Sequence, residues 1–163
     1  MLASSLLMEN SIKIQMIKPF EIVPMKREDL PQVLEIERVS FPLPFSENLF
    51  HMELDLNTAH MMVAKTGETI LGYLDFWHVD SEMHVINIAV GPQSRQQGVG
   101  HALMTYLVDY GCCQQVSRIF LDVRESNQAA IKLYQKLGFE QIDVRKGYYQ
   151  DTEEDALVMQ RKL

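Results

Sequence analysis

Beyond its first fifteen residues the chain switches between two hydrophobic periods, and the switches mark its elements one after another. Residues 20–24 form a short β-prone run. Leu30, Val33, Leu34 and Ile36 then recur at helical spacing, which predicts a helix over 30–39. Pro42 and Pro44 stop any helix across 41–45, because each lacks an N–H and restricts the residue before it. Ser46 stands as the N-cap of a second helix carrying Leu49, Phe50, Met52 and Leu54. Residues 61–65 and 69–78 read as a hairpin turned at Lys65-Thr66-Gly67-Glu68, and 83–90 as a third strand. A helix over 99–113 follows, with Leu103, Leu107 and Tyr110 inward, then a buried strand over 117–123. The next helix, 127–137, ends at Gly138 in the C′ position. Strands over 139–144 and 156–161 complete the chain, joined by a long polar loop that carries Tyr148 and Tyr149. The order β-α-α-β-β-β-α-β-α-β-β predicts an α+β fold, a mixed and mostly antiparallel sheet of about six or seven strands flanked by about four helices. Its antiparallel N-terminal half excludes a doubly wound dinucleotide-binding sheet.

Length and charge narrow the picture. The pattern predicts one domain over 16–163, with 1–15 as an extension expected to be disordered. Met1–Leu7 is mildly apolar but has no basic n-region, is interrupted by Glu9 and is too short to span a membrane. A net charge of -7 gives no broad attraction to nucleic acid. The two cysteines, Cys112 and Cys113, are neighbours on a helix, so they cannot staple the domain and no metal site is expected. These features predict a cytoplasmic protein, a monomer or weak dimer, with no membrane or nucleic-acid partner.

Asn87-Ile88-Ala89-Val90 runs into a loop holding Arg95, Gln96, Gln97, Gly98, Val99 and Gly100, at the start of a helix. A helix N-terminus offers unpaired N–H groups and a partial positive charge, and glycines let an anion approach the backbone. No Gly-Lys-Ser/Thr follows, so the loop is not a P-loop, and two glycines do not make a dinucleotide fingerprint. It resembles the pyrophosphate-binding loop of the GNAT N-acetyltransferases. Three further blocks resemble the RimI group within them, the ribosomal-protein alanine N-acetyltransferases. These are residues 121–127 with 129–134 and Leu137-Gly138-Phe139; Arg145-Lys146-Gly147-Tyr148-Tyr149 with Glu154-Asp155-Ala156; and Glu37-Arg38 through Phe41-Pro42 to Phe45-Ser46-Glu47.

The resemblance implies acetyl-CoA as cosubstrate, coenzyme A as product, and direct transfer to a protein N-terminal α-amine. By analogy the acceptor is the N-terminal alanine of ribosomal protein S18. It implies that Ile88, Ala89 and Val90 pair their backbone with the pantetheine arm, with the Val90 N–H stabilising the oxyanion. Residues Arg95 to His101 would hold the pyrophosphate, Gly98 and Gly100 above all, and Asn127 would cap its helix and reach the cofactor arm. Tyr134 would protonate the leaving thiolate, since a phenol with a pKa near 10 stays protonated at neutral pH. Asp122 would be the general base, one methylene shorter than the glutamate usual in the group, so that a water relay could bridge to the amine. An ion pair with Arg124, on the same strand face, is the ordinary alternative for Asp122, and Glu82 and His84 are the reserve bases. The acceptor would lie between Phe41, Pro42 and Phe45 on one side and Tyr148 and Tyr149 on the other. Two rival functions remain: acetylation of a small-molecule amine on the same core, and a non-catalytic acyl-CoA sensor, which would be expected to lack Tyr134 or Asp122.

Overall fold

The computed structural model describes residues 19–163, so the extension expected over 1–15 lies outside the described residues. The elements are β1 (Glu21–Pro24), α1 (Leu30–Ser40), α2 (Glu47–Asp55), β2 (Ala59–Thr66), β3 (Thr69–Val79), β4 (Glu82–Val90), α3 (Val99–Cys113), β5 (Arg118–Arg124), α4 (Gln128–Lys136), β6 (Glu140–Tyr149) and β7 (Glu154–Lys162). They form a 7-stranded sheet in the order β1-β2-β3-β4-β5-β7-β6. Every neighbouring pair is antiparallel except β4 and β5.

Strand alternation sends side chains to two faces, and each face has its own core. On one, Leu103, Met104 and Leu107 of α3 and Ile131 and Tyr134 of α4 pack on Leu74, Phe76, Met83, Ile119, Leu121 and Val123. On the other, Leu30, Val33 and Ile36 of α1 and Phe50 of α2 pack on Met61, Val63, Tyr73 and Ala89. Each such buried side chain contributes about 1.5–3 kcal/mol. α1 rests on β3 and β4 and α2 on β2. The same face of β5 therefore stays half-open, and Phe120, Asp122 and Arg124 point onto it.

Two details differ from the pattern. On α2 the apolar Met52 is 67% exposed, while Glu53 is buried and accepts the Trp77 Nε1–H at 2.7 Å. A charged residue found its partner inside, and the methionine took the solvent side. Tyr148 and Tyr149 end a strand and do not lie in a loop. The exposed run Arg145-Lys146-Gly147 reads as a loop, yet β7 offers a free edge and β6 continues along it, keeping the polar, bulged character of an edge strand.

Candidate active site

The sheet opens where β4 and β5 part. They pair at only three positions, Glu82↔Arg118, Met83↔Ile119 and His84↔Phe120. Beyond these β5 follows β7 to Arg124↔Ala156, while β4 follows β3 to Val90↔Gly72. The register of β3 and β4 slips between Asp75 and Phe76, leaving Ile86 as an extra residue that bends β4 just past its last bond to β5. The Gly91 N–H donates to the Leu71 carbonyl at 2.8 Å. By the alternation of an antiparallel ladder, Ala89 and Gly91 then turn their N–H and C=O groups to β3, and Ile88 and Val90 turn theirs into the gap. Of the three strand residues singled out in the sequence, Ile88 has both backbone groups available there and Val90 its N–H, the Val90 carbonyl being taken by Arg95, while Ala89 has neither.

The gap leads to the start of α3. Gly98 is the N-cap, with φ at +83°, and no side chain caps the first turn. Ser46 and Asn127 close the first turns of α2 and α4 by accepting the N–H groups of Leu49 and Ala130, each at 3.2 Å. On α3 the N–H groups of Val99, Gly100 and His101 are left without such a partner. The two glycines do different work. A Cβ on Gly98 would meet nothing within 4 Å, so its left-handed backbone is what favours glycine, whereas a Cβ on Gly100 would sit 3.6 Å from Leu133 and 3.7 Å from Val90, an ordinary fit. Arg95 donates from Nε to the Val90 carbonyl at 3.1 Å and reaches Ser40 Oγ at 3.5 Å, tying the loop to β4 and α1. Gln96 has φ at +58°, Gln97 donates to the Gln93 carbonyl at 3.1 Å, and His101 is exposed beside Thr105.

Tyr134 is buried on α4 in the core on the α3 side of the sheet, its ring 6.0 Å from that of Phe139. Burial, and then the nearby Tyr149, push its phenol up to about 12. Tyr149 is likewise pushed up to about 12, by burial and then by the charge of Asp122, with Arg124 opposing. The Tyr149 hydroxyl is thus felt by both Asp122 and Tyr134. Asp122 is half-buried with Arg145 Nε at 3.8 Å, and Arg145 also lies 5.5 Å over the Tyr148 ring. The ion pair with Arg124 offered as the alternative role for Asp122 does not form: Arg124 instead binds Asp151 at the tip of the β6–β7 hairpin, which offers both carboxylate oxygens in line with the guanidinium. Glu82 and His84 pair at 3.6 Å at the closed end of the gap, His84 stacked on Phe120, beside a cleft of about 510 Å³ lined by Trp77, Val79, Asp80 and Ser81.

Phe41, Pro42 and Phe45 stand on the α1–α2 loop, and Glu37, part of a sequence block but given no role there, fixes that loop. The buried carboxylate of Glu37 accepts the Phe45 N–H at 2.8 Å, the Asn87 Nδ2–H at 2.9 Å and the Tyr73 hydroxyl. Burial and Glu37 together hold the Tyr73 phenol far above its usual range. The one hint was a charged residue on the apolar side of α1. Asp75, wholly buried beside them, finds no hydrogen-bond partner among the described residues, and burial, then Glu53, push its carboxyl up to about 8.

Comparison with known proteins adds an independent line. The profile of the Acetyltransferase (GNAT) family matches residues 30–139. A Bacillus subtilis protein is 38% identical over 136 residues, covering 83% of this chain and 90% of its own length. The [ribosomal protein bS18]-alanine N-acetyltransferase of Escherichia coli K12 is 34% identical over 137 residues, covering 83% of this chain and 92% of its own. The crystal structure of the ribosomal-protein-S18-alanine N-acetyltransferase from Escherichia coli superposes with a TM-score of 0.82 at 32% identity, over 88% of this chain and 94% of that one.

Proposed function

Because the chain belongs to the acetyltransferase (GNAT) family, we propose that it transfers the acetyl group of acetyl-CoA to a protein N-terminal α-amine, the N-terminal alanine of ribosomal protein S18 by analogy with its relatives. The observation that carries this reading is the gap itself: the N–H and C=O of Ile88 and the N–H of Val90 turned into it from β4, Asp122 on the facing stretch of β5 beyond the last β4 pair, and the uncapped start of α3 at the end of β4. Acetyl-CoA supplies an activated thioester carbonyl. The N–H groups of Val99, Gly100 and His101, with the loop from Arg95 to Gly98, suit a pyrophosphate, and the strand edge at Ile88 and Val90 suits an amide-bearing arm. Asn127 has its side-chain oxygen committed to capping α4 and keeps its amide nitrogen to offer.

Within that frame Asp122 takes the proton of the attacking amine, directly or through one water. The Val90 N–H stabilises the negative charge developing on the carbonyl oxygen. Tyr134, neutral at physiological pH, protonates the departing sulfur. The α1–α2 loop with Phe41, Pro42 and Phe45 and the end of β6 with Tyr148 and Tyr149 would flank the acceptor, and the half-open face of β5 suits a peptide better than a compact amine. Comparing kcat/KM for peptides beginning with alanine against small amines tests this; a strong preference for the small amines would refute the protein acceptor.

The role of Asp122 has its own test. Asp122→Asn is expected to lower kcat by about a hundredfold and to flatten the acidic limb of the pH profile, whereas Asp122→Glu retains activity. If Asp122 served only its ion pair with the exposed Arg145, the asparagine variant would lose about 0–1 kcal/mol of stability and keep kcat. Measuring kcat against pH together with the denaturation midpoint separates the two.

A further inference from the structure

The tip of the β6–β7 hairpin depends on one side chain of β5. Arg124 donates to both Asp151 carboxylate oxygens, at 3.0 and 2.9 Å, and to Thr152 Oγ1 at 3.0 Å, with Glu154 at 3.7 Å. The same guanidinium lies 4.0 Å over the Tyr149 ring. The two guanidinium nitrogens meet the two carboxylate oxygens side by side, a bidentate geometry that fixes one orientation of the pair. The ladder does little to hold this segment. The pairing of β6 with β7 jumps from Arg145↔Ala156 to Tyr149↔Glu154, and Gly147 takes a φ of +59° inside the bulge. Asp155 steadies the bulge through the Gly147 N–H and Lys146 Nζ, and Glu154 accepts the Ser126 N–H at 3.3 Å, but among the described residues only Arg124 reaches Asp151 and Tyr149 together.

We propose that Arg124 is a positioning residue for the acceptor amine, clamping the hairpin tip to β5 so that Tyr149 stands over the gap beside Asp122. The inference rests on the acetyltransferase reading above. Arg124 touches neither the strand edge nor the start of α3, so it acts through the hairpin. Without it, Asp151 and Glu154 would face each other with no cation between them, and Tyr149 would lose the plane it stacks on. Lysine cannot replace it fully, because a single ammonium offers no fork for the carboxylate and no flat face for the ring.

Arg124→Ala and Arg124→Lys test the clamp by two readouts. Amide hydrogen exchange over 145–155 is expected to quicken by about tenfold in Arg124→Ala, with the core strands unchanged. The KM of the acceptor is expected to rise by about tenfold, with kcat and the KM of acetyl-CoA within about twofold of wild type, and Arg124→Lys is expected to fall between. If Arg124→Ala does not fold, the Asp151→Asn, Thr152→Ala double variant loosens the same clamp from the hairpin side. Unchanged exchange, or faster exchange with an unchanged acceptor KM, overturns the proposal. If the wild type accepts a small amine and no peptide, the protein-acceptor reading fails, and the KM of that amine still decides the clamp. A wild type that acetylates no amine overturns both.

Discussion

Replacing Tyr134 with phenylalanine is expected to lower kcat by about a hundredfold and to leave acetyl-CoA affinity unchanged. The ring stays packed beside Phe139, so only the hydroxyl is lost and the fold has no reason to change. A proton donor needed only as negative charge leaves with the sulfur acts in the transition state alone, which lowers kcat without changing binding. The raised phenol adds a pH signature. With Tyr134 held up to about 12, the folded protein keeps this proton through the range near pH 10 where an unfolded tyrosine loses it. Its contribution to stability is therefore complete below about pH 10 and falls as pH rises toward 12. The phenol should impose no alkaline limb on kcat between pH 7 and about 10. Steady-state rates from pH 6 to about 10 check both points, and wild-type turnover in Tyr134→Phe would remove the residue from the acid role.

The second large effect belongs to Gly98. Acetyl-CoA at about 100 times its Kd should stabilise the wild type by about 2.7 kcal/mol through mass action. Gly98→Glu is expected to abolish that gain, because it places a carboxylate beside the free N–H groups of Val99, Gly100 and His101. Backbone strain contributes separately: any side chain at a φ of +83° costs about 1–2 kcal/mol even with open space around it. Gly98→Ala carries the strain without the charge, so it should lose stability yet keep a thermal shift with acetyl-CoA. Gly100→Ala, whose Cβ would meet Leu133 and Val90 at ordinary distances, should fold normally. A folded Gly98→Glu that keeps the full shift would remove the anion site from the start of α3.

The element order was legible because each period change had a local physical cause. Pro42 and Pro44 broke the first helix, Ser46 and Asn127 capped the next ones, and Gly138, with φ at +85°, ended α4. The gap in the sheet was not legible from periodicity, since it arises from a slip between Asp75 and Phe76 that depends on two strands pairing. It also divides roles among neighbours that look alike in sequence: Ile88 and Val90 face the gap, while Ala89 is spent on β3. The strand character of Tyr148 and Tyr149 was hidden for a related reason, because β6 is a polar edge made a strand by β7. Asp122 and Arg124 were correctly placed on one face, yet the partner of each came from the distant hairpin. Glu37 was the least visible of all. Nothing within its own helix announces that the Phe45 N–H, the Tyr73 hydroxyl and Asn87 converge on it.

The most direct measurement follows where the acetyl group goes. A peptide beginning with alanine and carrying an internal lysine, and the same peptide with its α-amine blocked, would each be incubated with the enzyme and acetyl-CoA and sequenced by mass spectrometry. Acceptance at the α-amine predicts a single acetyl group on the first residue of the free peptide and none on the blocked one. Acetylation of the lysine in both peptides, at comparable rates, would contradict it.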